Sequence, residues 1–96
     1  MLESGFKKKF LDNLEIRFPG IVIVQTDPTN FLSFPDIILL YGNRWAALET
    51  KRNTKARKQP NQPHWIRELN DMSYASFLSP ENQQEVLDEL EQLFGL

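Results

Sequence analysis

Apolar residues recur every fourth position at Phe6, Phe10, Leu14 and Phe18, which predicts an amphipathic helix over residues 2–18. Pro19-Gly20 should stop it. Residues 21–24 are an unbroken β-branched run and read as a short buried strand. Residues 25–33 are polar around Pro28 and read as a loop. Residues 35–41 are apolar on both faces, as in a central strand, and Gly42-Asn43 turns them into a third strand over 44–50. A helix follows over 62–72, with Trp65, Ile66, Leu69 and Met72 as its inner stripe, and then a strand over 74–78. Ser79 as N-cap and Pro80 at the first helical position predict a last helix over 80–94. It turns Val86, Leu87, Leu90, Leu93 and Phe94 inward, and Gly95 stops it. The order αβββαβα over 96 residues predicts one α/β domain of the α+β kind, residues 1–96, built on a mixed sheet.

The informative positions are the polar ones inside this apolar frame. Asp36 opens the second strand, and Glu49 and Lys51 close the third. A hairpin sets the start of one strand beside the end of the other, so all three should gather away from the turn. Glu49 and Lys51 are two apart and should share a face. Two carboxylates crowded among apolar neighbours need a cation or a substrate to complete them. Glu3 falls within about 20° of Phe10 and Leu14 on the helical wheel, on the apolar face. A frayed first turn or a functional carboxylate both account for it. Gln62 likewise lies about 20° from Leu69. Lys7, Lys8 and Lys9 fit a solvated face or a phosphate-contacting patch. His64 is the sole histidine, beside the stripe and suited to a surface or stacking role.

Charge changes the picture of possible partners. The net charge is −2, yet residues 80–96 hold five acids and no base. Residues 1–79 thus carry 11 bases against 8 acids, a net of +3. With Glu3, Asp36 and Glu49 neutralised by metal that body would reach +6. Arg52, Lys55, Arg57 and Lys58 crowd into residues 52–63 among prolines, polar side chains and no apolar pattern. This reads as a mobile cationic loop next to the carboxylates, suited to a polyanion. The chain has no cysteine, which excludes disulfides and thiolate metal sites and suits a reducing cytoplasm. No apolar run reaches membrane-spanning length, and no Gly-rich phosphate loop or Ser-His-Asp set can be assembled.

Element order and charges together resemble the PD-(D/E)XK nuclease superfamily. Pro35-Asp36 looks like its PD half-motif and Glu49-Thr50-Lys51 like its E-x-K half. Glu3 looks like the first-helix glutamate of many members. Gln62 with Trp65 is similar to the Q-x-x-W of the virus-type replication-repair (VRR-Nuc) branch, which includes small stand-alone phage proteins of this length. Phe34 stands where that branch carries glycine, and Thr50 where it carries a branched apolar residue. The resemblance implies a restriction-endonuclease-like αβββαβ core with an additional C-terminal helix. It implies catalytic roles for Asp36, Glu49, Lys51, Glu3 and Gln62, and Mg²⁺ or Mn²⁺ on Asp36, Glu49, Glu3 and the Thr50 carbonyl. Lys7, Arg52, Lys55, Arg57, Lys58 and Gln62 would hold the nucleic-acid backbone.

The expected activity is metal-dependent hydrolysis of DNA phosphodiester bonds, selective for structures such as four-way junctions or flaps. The partner is DNA, with no membrane and no organic cofactor, and the location is cytoplasmic, in a bacterial host if the protein is phage-encoded. Small size and the need for paired cuts favour a homodimer, through the last helix or the outer side of the first. The alternative is a catalytically inert nucleic-acid-binding or phage interaction module on the same fold. If the acids only repel one another, Asp36→Ala should stabilise the metal-free protein.

Overall fold

The computed structural model describes residues 3–27 and 33–95, with side chains from residue 5 onward. Three helices and four strands follow one another as α1 (Glu3–Arg17), β1 (Val22–Gln25), β2 (Ile37–Tyr41), β3 (Arg44–Thr50), α2 (Gln62–Met72), β4 (Tyr74–Leu78) and α3 (Gln83–Phe94). The sheet is mixed, in the order β1-β2-β3-β4. The β1–β2 and β2–β3 pairs are antiparallel, and β4 runs parallel to β3 through the α2 crossover. The chain is therefore α+β, with one sheet between helical layers.

Alternation along the central strands divides the core. Ile37, Leu39, Ala46 and Leu48 point to α1 and α3, where Phe6, Phe10, Leu14, Phe18, Val86, Leu90 and Phe94 meet them. Ala47 and Ala75 point the other way, to Leu69, with Ile38, Trp45, Trp65 and Ile66 around them. Phe18, just past α1, stacks edge-on to Tyr41 and to Phe94 with centroids 5.7 and 5.3 Å away. Arg17 pairs with Glu91 at 2.8 Å, joining α1 to α3.

The hairpin turns as its sequence demands. Tyr41 pairs with Arg44, leaving Gly42-Asn43 as a two-residue turn with φ +63° at Gly42. A positive φ at Gly42 but not at Asn43 is the type II′ pattern, which favours glycine at the first central position. Gly95 closes α3 in the left-handed conformation, its N–H bonded to the Glu91 carbonyl.

Several boundaries and faces differ from the sequence expectation. Strand β1 is shifted one residue and lies at the sheet edge, with Val22 51% and Val24 43% exposed. Helix α2 packs on β3 and β4, away from the edge strand β1. Met72 is also exposed, because it lies in the final turn of α2, ahead of the first paired residue of β4. Strand β2 begins at Ile37, leaving Pro35-Asp36 just before it. Helix α3 starts three residues later than Pro80. Asn82 bridges the preceding turn, accepting from the Ser79 N–H at 2.8 Å and donating to the Phe77 carbonyl at 2.9 Å. The predicted loop over 25–33 is described only at its two ends.

Candidate functional site

The two acids of the hairpin meet because the ladder register carries them together. Ile37 pairs with Leu48, so the next step sets Asp36 opposite Glu49. The Asp36 carbonyl accepts from the Thr26 N–H at 3.0 Å, which brings the end of β1 to the same level. A cavity of about 340 Å³ opens there, lined by Thr26, Ser33, Phe34, Asp36, Glu49, Gln59 and Gln62. Glu49 and Gln62 are buried, at 8% and 7% exposure. Ser33 holds a left-handed backbone, φ +67°, at the rim. That conformation is strained for a residue with a Cβ, and such strain concentrates at functional sites.

Asp36 is fully engaged within the protein. Its Oδ1 accepts the Thr50 N–H at 2.8 Å, and its Oδ2 takes the Lys7 ammonium at 2.9 Å. The Lys7 and Asp36 side chains are 22% and 23% exposed. Lys7 is therefore paired with Asp36 in this structure. The helical wheel carried a signal for this, since Lys7 lies about 20° from the buried Leu14. Lys8 does face solvent and pairs with Asp12, four residues on, at 3.0 Å.

Lys51 does not join Glu49 in the cavity lining. Its ammonium donates to the Arg57 carbonyl at 3.1 Å, and its N–H to the Leu78 carbonyl at 2.7 Å. Strand β3 ends at Thr50, so the two-residue alternation that would align Lys51 with Glu49 stops one residue short. Thr50 itself is buried, with a hydroxyl that has no partner among the described residues. The Glu3 side chain lies outside the described residues, and among those described no third carboxylate or imidazole completes a metal cluster.

Gln62 opens α2 and is fixed from within. Its Oε1 accepts the Gln59 N–H at 2.8 Å, while its own N–H bonds the Gln59 carbonyl at 3.0 Å. Trp65, one turn on, meets Phe34 edge-on at 5.2 Å and His64 at 5.7 Å, which gives the exposed histidine a stacking place. Residues 52–61 contact other parts of the fold at several points. Thr54 donates twice to Glu81, through its N–H at 3.2 Å and its hydroxyl at 3.0 Å. Lys58 lies 4.9 Å above the Phe77 ring, and Phe77 is the register partner of Glu49 on β4. Arg52, Lys55 and Arg57 are exposed on this loop. Sequence reasoning missed Thr26, Ser33, Phe34, Gln59 and Glu81, whose involvement depends on chain reversals that no local pattern encodes.

Remote from the cavity, the Tyr74 phenol is pushed up by burial. A hydrogen bond with Ser76 works against that rise, and the charges of Glu89 and Glu85 add to it. Helix α3 leaves no apolar seam on its surface: Leu87, Leu90 and Phe94 are buried, and Leu93 packs partly against the core. The core thus leaves little apolar surface on the last helix for self-association. No described helix is long and apolar enough to cross a membrane. The chain matches no protein-family model, no curated protein and no solved structure.

The donor set suits a hard divalent cation. Two carboxylates, Asp36 and the buried Glu49, line one open cavity. Mg²⁺ and Mn²⁺ take such oxygens while keeping several waters, for which the cavity has room.

Proposed function

We propose that this chain is a metal-dependent phosphodiesterase acting on DNA, with the restriction-endonuclease-like core of the PD-(D/E)XK nucleases. The observation that carries the reading is that Asp36, Glu49 and Gln62 line one cavity at the end of the hairpin. When bound, Mg²⁺ or Mn²⁺ would acidify water and withdraw charge from the phosphate. Asp36, Glu49, Glu3 and the Thr50 carbonyl would hold it. Lys51 would orient the attacking water after leaving the Arg57 carbonyl, and its ammonium would offset phosphate charge. Gln62 would position the backbone from the N-terminus of α2, where the helix dipole favours an anion. Selectivity for junctions or flaps, a homodimer that cuts both strands and a cytoplasmic location go with this reading.

The test is cleavage of a supercoiled plasmid and of a four-way junction with Mg²⁺ or Mn²⁺, with light scattering on the same preparation. Cleavage should vanish in EDTA and fall about a hundredfold or more in Glu49→Gln, given the several kcal/mol a catalytic metal supplies. Cleavage that survives EDTA would exclude the mechanism. A mass near that of one chain in the active fraction would exclude the dimer.

A second reading has its own support. Lys7 neutralises Asp36, and the Lys51 ammonium is bound to the loop, an arrangement that also suits an inert nucleic-acid-binding module. Tight binding without turnover in the same assay would select it. Under either reading the 52–61 loop contacts the backbone. Replacing Lys55, Arg57 and Lys58 by alanine should weaken duplex binding and flatten its salt dependence by about 0.9 per lost phosphate contact. An unchanged slope would reduce the loop to a connector.

A further inference from the structure

Metal-free carboxylate pairs repel, and a protein that holds one must neutralise it. Here the neutralising group is visible. Lys7 reaches from α1 to Asp36 Oδ2 at 2.9 Å, and the pair is only about one-fifth exposed. The other oxygen, Oδ1, is committed to the Thr50 N–H. Glu49 lines the same cavity as Asp36, so the ammonium is held on one of the two acids that line it. A metal ion on Oδ2 would lie about 2.0–2.1 Å from that oxygen for Mg²⁺. With Lys7 still in place, the two cations could be no more than about 5 Å apart, within strong repulsion at a half-buried site.

We propose that Lys7 is the resident counter-cation of Asp36, one of the two acids of this cavity, and that a divalent ion binds by displacing its ammonium from Asp36. The inference rests on the metal-binding reading above and adds to it a built-in competitor. Lys7 thereby lowers the cost of holding two acids in the empty site and weakens the affinity of that site for metal. Its role is that of a positioning residue, because it acts through Asp36.

Calorimetric titration with Mn²⁺ tests this on four proteins: wild type, Lys7→Met, Lys7→Arg and Lys8→Met. Lys8→Met removes the same charge from the next residue, whose partner is the exposed Asp12. It therefore reports any general electrostatic gain. Melting in EDTA confirms that each variant is folded. The expected result is roughly two- to fivefold tighter Mn²⁺ binding in Lys7→Met, the range an ion pair of this exposure supplies. Lys7→Arg and Lys8→Met should stay near wild type. Equal affinity in wild type and Lys7→Met would overturn the proposal while leaving the metal site intact. Equal tightening in Lys7→Met and Lys8→Met would overturn it in favour of long-range charge. No Mn²⁺ binding by any of the four would remove the metal reading itself, and the proposal with it.

Discussion

Asp36→Ala is expected to melt below the wild type in EDTA, by an amount equivalent to about 1–3 kcal/mol. The sequence alone argues the opposite sign, since deleting one of two neighbouring acids should relieve repulsion. The contacts reverse it. Asp36 accepts the Thr50 N–H, on a residue 1% exposed, and pairs with Lys7. Removing the carboxylate strands a buried donor and leaves a half-buried ammonium without its partner, and such losses exceed the net value of the bonds themselves. For a domain of this size each kcal/mol shifts the melting temperature by about 4–8 °C, so the change is readily measured. Asp36→Asn keeps an oxygen for Thr50 but offers Lys7 no charge, and should fall between the two. Under the proposed function both variants also lose Mn²⁺ binding and cleavage. A melting temperature equal to or above wild type in Asp36→Ala would mean that these two contacts do not hold the strand end together.

The largest effect on stability is expected at Phe18. It is fully buried and links three elements, as the residue after α1 that stacks on Tyr41 of β2 and Phe94 of α3. Phe18→Ala removes those ring contacts and leaves a cavity that the surrounding rings can only partly fill, at a cost of about 3–5 kcal/mol. Against a total of about 5–15 kcal/mol for a typical domain, that is enough to bring this one close to unfolding. Val22→Ala deletes apolar atoms too, but Val22 is half exposed on an edge strand and its loss should cost about 0.5 kcal/mol or less. Urea denaturation separates the two: a lower midpoint at unchanged slope for Phe18→Ala, and almost no shift for Val22→Ala. Comparable shifts would mean that Phe18 is not the link between α1 and α3 that its contacts describe.

The fold was readable where one local signal sufficed. Four-residue spacing located α1, and Gly42-Asn43 located the hairpin to the residue, because only a small set of dihedrals closes a two-residue turn. The same hairpin logic brought Asp36 opposite Glu49. Reading failed where a neighbour decides the outcome. Val22 and Val24 looked buried because β-branched runs usually are, yet burial requires a helix on that face, and α2 lies over β3 and β4 instead. Ser79-Pro80 is a sound start for a helix, but Asn82 spends its side chain on the turn and delays α3 to Gln83. The contacts of the loop rich in lysine and arginine were not readable because its partners, Glu81 and Phe77, belong to a later part of the chain.

By itself, then, the sequence determined the order of elements, the antiparallel hairpin, the gathering of two acids at its open end and the distribution of charge. Each follows from residues within a turn or a strand pair of one another, where backbone geometry leaves few choices. Tertiary structure alone decided what surrounds those acids. It set Lys7 on Asp36 from a helix 29 residues away, held the Lys51 ammonium on a loop carbonyl instead of beside Glu49, and gathered Thr26, Phe34, Gln59 and Gln62 into one cavity. Such contacts depend on how helices and loops pack across the sheet, and packing is set by shape and partner together rather than by any single stretch of chain.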